Sequence, residues 1–169
     1  MEYNPRLFNH ARWKGETAIF IAVSHGHIDT VELLLEPCYH CDINKANKKG
    51  ETPLIAALRK NHVYIARLLL SKVECEVSKE SNNHESAITW AYKNNQKDIV
   101  SAIIDHPTND VNQSFNAACQ YGDIDRARHL LISSHFIEIN KVDLDGNSPL
   151  FKAVKGNHLA IIKKFMYAK

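Results

Sequence analysis

The chain has 169 residues, 44% of them hydrophobic and 24% charged, which is the balance of a folded globular protein. No run of 18 apolar residues occurs, so the sequence predicts no membrane-spanning helix, and the opening Met1-Glu2-Tyr3-Asn4-Pro5-Arg6 lacks the apolar core of a secretory signal. A net charge of +2 is too small to point to nucleic acid.

The predicted elements recur in chain order with a nearly constant period. From Gly15 the sequence reads Gly-Glu-Thr17-Ala-Ile-Phe-Ile-Ala22, then Gly26-His27, then Val31-Glu-Leu33-Leu34-Leu35, then Asp42-Ile43-Asn44. From Gly50 it reads Gly-Glu-Thr52-Pro53-Leu54-Ile-Ala-Ala57, then Asn61-His62, then Leu68-Leu69-Leu70. Gly15 to Gly50 is 35 residues, Ala57 to Ala91 is 34 and Ala118 to Ala153 is 35. Periods in this range mean stacked supersecondary units.

Within a unit the residues predict two antiparallel helices. Thr52 is placed to cap the first, and Pro53 follows where its missing N–H costs nothing. Ser148-Pro149 repeats the device. Leu54, Ala57 and Leu58 predict the buried stripe of the first helix, and Val63, Ala66, Leu69 and Leu70 that of the second. In the first unit the second stripe reads Ile28, Val31, Leu34 and Leu35. Asn61 stands where a left-handed helix stop is needed. A lone hairpin of this kind leaves its apolar face bare, so the units must stack.

The pattern resembles the ankyrin repeat family. Its Thr-Pro-Leu element stands as Thr17-Ala18-Ile19, Thr52-Pro53-Leu54, Ser86-Ala87-Ile88 and Ser148-Pro149-Leu150, and its helix alanine as Ala22, Ala57, Ala91, Ala118 and Ala153. The resemblance implies an all-α solenoid of helix-turn-helix units with extended finger loops, in a single domain over residues 1–169. The repeats run over about 9–43, 44–77, 78–111, 112–139 and 140–169. Fingers are expected at Asn9–Gly15, Asn44–Gly50, Ser78–Glu85 and Asn140–Gly146. The fourth repeat is shortened: Ser78 to Ala91 is 13 residues but Asn112 to Ala118 only six. It should lack its finger, start its helix almost directly after Asn112, and leave a notch in the finger row. The family histidine after Thr-Pro-Leu is replaced by Phe20, Ile55, Thr89, Asn116 and Phe151. Its polar tie to the capping residue is therefore expected to be absent, with apolar contacts in its place in three repeats.

The resemblance further implies a non-catalytic protein-interaction module that binds through its concave surface of fingers and first helices. The candidate binding residues are Arg12, Trp13, Lys14, Lys45, Lys48 and Lys49 on the first two fingers, and Arg59, Lys60, Lys93 and Tyr121 near the ends of first helices. The last finger carries Asp143 and Asp145 instead, so the expected surface runs from positive to negative. An acidic protein segment is the partner this charge predicts, with charge setting orientation and association rate. Trp13 has two readings of equal weight: an interface anchor, or a lid over the first repeat together with Phe8.

Catalytic and metal chemistry find little support. Cys38-Tyr39-His40-Cys41 has zinc-like spacing but no second ligand pair, and Cys41 and Cys75 align as small packing residues. Cys119 is predicted to be buried and inert. No phosphate loop or nucleophile elbow is present, so no cofactor, no metal and no enzyme activity is expected. Alternatives are nucleic-acid or acidic-lipid binding through the basic fingers of repeats 1–3, and membership in a larger enzyme. Nucleic-acid binding ranks below the interaction module, since the sequence offers few exposed aromatic partners for stacking apart from Trp13. The cysteine usage suggests a cytoplasmic protein, a monomer is the favoured state, and the divergent repeats resemble adaptors or host-directed effectors of intracellular bacteria or viruses. Exposure of Ile161, Ile162, Phe165 and Met166 would mean either missing residues or self-association through an open edge.

Overall fold

The computed structural model describes residues 8–134 and 136–166, with the side chains of Cys38 and Met166 outside that description. Ten α-helices pair into five hairpins, and no strand occurs among the described residues. They are α1 (Ala18–His25), α2 (Ile28–Leu34), α3 (Pro53–Arg59), α4 (Val63–Leu70), α5 (Ala87–Lys93), α6 (Lys97–Ile104), α7 (Val111–Tyr121), α8 (Ile124–Ser133), α9 (Pro149–Lys155) and α10 (Leu159–Met166). The chain divides into two compact units, residues 1–108 with three hairpins and residues 109–169 with two. The boundary falls where the repeat of shortened sequence begins.

In the first unit α1 packs on α3 and α3 on α5, with α2, α4 and α6 forming a second layer. The capping residues act as their chemistry predicts. Thr17 and Thr52 accept hydrogen bonds from the backbone N–H of Phe20 and Ile55, and in the second unit Ser148 accepts from Phe151. The helix stops use the left-handed region at Gly26, Asn61, Asn95, Gly122 and Asn157, as residues with little or no penalty there should.

Two buried stripes differ from expectation. In α4, Ala66 and Leu69 are buried, but Val63 and Leu70 are half-buried and Ile65 takes the core position. In α2, Val31 and Leu34 are buried while Ile28 is exposed.

The polar tie at the first-helix caps is also not uniformly lost. Phe20 and Ile55 are buried replacements, but in the third repeat the Ser86 and Thr89 hydroxyls lie 3.1 Å apart as a hydrogen-bonded pair. A threonine is long enough to restore the tie. Phe151 is exposed and does not fill the expected role.

Fingers form in the first three repeats and the fifth. Each is a hairpin closed by the same two backbone bonds: Arg12 N–H to Glu16 and Gly15 N–H to Arg12, repeated at Asn47, Ser81 and Asp143. In the first unit successive fingers are tied edge to edge, Lys48 N–H donating to Lys14 C=O and Asn82 N–H to Lys49 C=O. The fourth repeat has no finger. Its α7 is 11 residues long and begins at Val111, ahead of Asn112 rather than after it as expected, with Asp110 accepting from Asn112 and Gln113 N–H.

Asn112 is nevertheless kept, for a reason absent from the sequence pattern alone. Asn44 Nδ2 donates to Glu74 C=O and its Oδ1 accepts from Glu76 N–H, at 2.7 and 2.8 Å, clipping the start of the second repeat to its end. Asn9 does the same with His40 and Asp42, and Asn112 with Phe136 and Glu138. The third repeat has Ser78 at this place, whose hydroxyl donates to Thr108 C=O, while the Thr108 hydroxyl accepts from Val77 N–H and donates to Cys75 C=O. The amide in this position is satisfied on both sides, so it stabilises the turn.

Candidate functional site

A groove of about 510 Å³ lies between the first two fingers and the first helices of repeats 1 and 2. The sequence builds it from three parts. The finger turns carry Trp13 and Lys14 on one side and Asn47, Lys48 and Lys49 on the other. The floor is Phe20 of α1, which is buried. The far wall is the end of the helices, with Ser24 and His25 of α1, Arg59 of α3 and Lys60 just beyond it.

Six of the ten predicted residues therefore meet in one place: Trp13, Lys14, Lys48, Lys49, Arg59 and Lys60. Arg12 and Lys45 are exposed on the same fingers but do not line the groove. Lys93 ends α5 in the next repeat, and Tyr121 ends α7 in the second unit.

Trp13 is 73% exposed, with the Lys14 ammonium 5.2 Å from its ring centre. Phe8 packs edge-on against Tyr39, with ring centres 5.1 Å apart. Phe8 is thus engaged at the close of the repeat, while Trp13 stands open at the groove. A cation over an exposed indole contributes only about 0.5–1 kcal/mol, so this pairing leaves the ring available.

The electrostatics are less one-sided than the basic residues suggest. Glu16 and Glu51 also line the groove. Arg59 Nε sits 2.9 Å from Glu51 Oε1, close but not aligned as a hydrogen bond. Lys93 pairs with Glu85 in the same relation one repeat on, and stacks its ammonium 4.4 Å from the Trp90 ring centre. Arg59 and Lys93 are therefore partly neutralised by their own fingers. Lys48, Lys49 and Lys60 enter no ion pair among the described residues and supply the outward positive charge. The acidic wall residues were legible in the Gly-Glu-Thr of both repeats, as Glu16 and Glu51, but a glutamate next to a turn reads as solvated until the helix arginine is seen beside it.

The three cysteines whose side chains are described are held away from chemistry. Burial pushes the Cys75 and Cys119 thiols up to about 12, and burial also raises Cys41. A thiol so far above neutral pH carries almost no thiolate. Among the described residues no group of three or more His, Cys, Asp or Glu side chains is placed to hold a metal ion. The Cys38 side chain lies outside the described residues, so the Cys38–Cys41 pair is not seen as a whole. No helix among the described residues is long and apolar enough to cross a membrane.

Repeat length, helix pairing, capping and finger geometry all define one class, and family comparison agrees. Models of ankyrin repeats in three copies match residues 2–81 and 20–116, and a model of ankyrin repeats in many copies matches residues 115–165. The chain belongs to the ankyrin repeat family. Repeats of this family generally mediate protein–protein interaction, and domains built from them are typically non-catalytic. No curated protein matches the chain.

Proposed function

We propose that this protein is an interaction module that holds an acidic segment of a partner protein in the groove between its first two fingers. The observation that carries this reading is the convergence of the exposed Trp13 ring, the buried Phe20 floor and Lys48, Lys49 and Lys60, which enter no ion pair among the described residues, on one concavity. An apolar anchor ringed by cations suits a segment in which carboxylates flank an aromatic or aliphatic residue. The ring supplies desolvated contact area, and the lysines steer encounter and fix direction. Lys93 and Arg12 extend the basic surface beyond the groove as weaker contributors.

The groove also offers Glu16 and Glu51, which would repel a uniformly acidic ligand. That favours a mixed acidic and apolar segment over a polyanion, and so a protein over nucleic acid. A cytoplasmic adaptor or a host-directed effector fits such a module, and the groove would act in the same way in either.

The test is selection from a displayed peptide library against the full chain, followed by fluorescence-anisotropy titration. The expected result is an enrichment of acidic residues beside one large apolar residue. Affinity should fall about tenfold or more for Trp13→Ala and for Lys48→Glu/Lys49→Glu. Peptides without acidic bias, or affinity indifferent to both variants, would remove the assignment.

A further inference from the structure

Three fingers carry an acid at one register position, and two of those acids meet a cation. Glu16, Glu51 and Glu85 each follow the left-handed residue of their finger, Gly15, Gly50 and His84. Across from them, two residues after the helix alanines Ala22, Ala57 and Ala91, stand Ser24, Arg59 and Lys93. Arg59 Nε lies 2.9 Å from Glu51 Oε1, and Lys93 pairs with Glu85. Asn47 Nδ2 donates to the other Glu51 oxygen at 2.9 Å, so this carboxylate is engaged on both sides. The first repeat lacks the cation. The Ser24 hydroxyl donates to Ile21 C=O, and His25 turns its Nδ1 to the same carbonyl at 2.9 Å. Arg12 stands where the second finger has Asn47. Among the described residues the Glu16 side chain enters no ion pair and no hydrogen bond.

This carboxylate lies in the groove. Glu16 is half-buried and lines it together with Trp13 and Phe20 of the first repeat, while Lys48, Lys49, Arg59 and Lys60 all come from the second. The first repeat's own cation in the groove, Lys14, is drawn to the Trp13 ring. The concavity is therefore polarised, with a carboxylate from one repeat and cations from the other. A carboxylate already half out of water loses more of its hydration when a ligand covers it, and a counter-charge carried by that ligand offsets the loss.

We infer that Glu16 is a specificity-determining residue that accepts a basic side chain of the partner. That side chain stands on one side of the apolar residue held by Trp13, and the partner's carboxylates run on from the other side to the lysines of the second repeat. The inference rests on the groove being the binding site, and it adds the order of charges along the bound segment. Such an order fixes the direction in which a segment crosses the groove, because the reversed segment sets like charges together. Glu51 does not serve in the same way, since Arg59 and Asn47 engage both of its oxygens.

The experiment repeats the displayed-library selection on the full chain, with Glu16→Gln, Glu16→Lys and Glu51→Gln beside the parent. The finger bond at Glu16 uses its backbone carbonyl, which accepts from Arg12 N–H, so the substitutions leave it in place, and circular dichroism checks the fold. The parent should enrich lysine or arginine at one fixed spacing from the large apolar residue, on the side away from the acids. Glu16→Lys should enrich aspartate or glutamate at that spacing, and Glu51→Gln should keep the parent's preference. In anisotropy titrations with the best parent peptide, changing its basic residue to glutamine should weaken binding to the parent about tenfold. The same change should weaken binding to the Glu16→Gln chain less than about twofold, a coupling that a merely structural role for Glu16 would not produce. Acidic and apolar peptides with no basic preference, or a preference that survives Glu16→Gln or is lost with Glu51→Gln, would overturn the charge order and leave the groove assignment standing. Loss of the acidic bias, or of the dependence on Trp13, would remove the groove assignment and the charge order with it.

Discussion

Repeats 2 and 5 carry almost the same local sequence and opposite burial. Thr52-Pro53-Leu54 and Ser148-Pro149-Leu150 both start a seven-residue helix, both cap it with a hydroxyl, and both end near a left-handed asparagine. Yet every residue of α3 from Pro53 to Leu58 is buried, and in α9 only Pro149 and Ala153 are. Local chemistry decides that a helix forms and where it stops. The neighbour decides what the helix is worth, because in a repeat array stability is roughly a sum of unit and interface contributions.

That contrast can be broken most easily with truncations. Leu58→Ala empties a fully buried site and should cost about 2–5 kcal/mol. Val154→Ala, at the matching and mostly exposed site, should cost well under about 1 kcal/mol, as exposed substitutions do. Urea unfolding followed by circular dichroism separates the two, and equal losses would mean that burial in α3 does not set its stability.

A smaller difference is expected at the finger glycines. Gly50→Ala must both hold a positive φ and place a Cβ 2.8 Å from Asn82 N and 2.5 Å from Asn82 Oδ1. Gly146→Ala meets no such neighbour and bears only the left-handed strain, roughly 1–2 kcal/mol. Thermal melts should rank Gly50→Ala below Gly146→Ala. The reverse order would mean that the second and third fingers are not tied as described.

The caps sharpen the comparison from the other side, because a cap bond is local. Thr52 and Ser148 accept from backbone N–H at 3.3 and 3.2 Å. Thr52→Ala and Ser148→Ala should each lose about 0.5–2 kcal/mol, and by similar amounts despite the difference in burial. A loss confined to repeat 2 would assign the cap's value to packing.

The smallest effect concerns the fifth finger. Burial pushes the Asp143 carboxyl upward, but the Lys152 ammonium at 2.7 Å, with backbone N–H bonds from Asn147 and Asp145, outweighs it and holds the group below its usual value. Its folded pKa is depressed, so its contribution is complete above the unfolded value of about 3.9 and is lost as pH falls through the lower folded one. Asp143→Asn should flatten the stability profile below about pH 4 and leave it unchanged at neutral pH, apart from a constant offset. A profile identical to the parent would remove this ion pair from the account.

Much of the fold was legible because it is written as a period. The 34–35-residue spacing, the Thr-Pro and Ser-Pro starts, the asparagine stops and the shortened fourth repeat are one-dimensional signals, and each has its place in the structure. What depends on a neighbour was not legible. Ile65 in place of Val63 and Leu70, the exposure of Phe151, and the clip made by Asn9, Asn44 and Asn112 all involve groups roughly thirty residues apart or the next hairpin. The same holds for the groove. Sequence placed the basic residues on fingers and helix ends, but pairing of Arg59 with Glu51, and of Lys93 with Glu85, required the fold of finger onto helix.

The proposal that the first two repeats hold an acidic and apolar segment is tested most directly by nuclear magnetic resonance. The uniformly labelled chain would be titrated with the best peptide from the library selection. The Trp13 indole N–H and the backbone amides of Phe20, Lys48, Lys49 and Lys60 should shift together, along one saturable binding curve. Shifts confined to residues 109–169, or none at Trp13 and Lys48 at saturation, would contradict it.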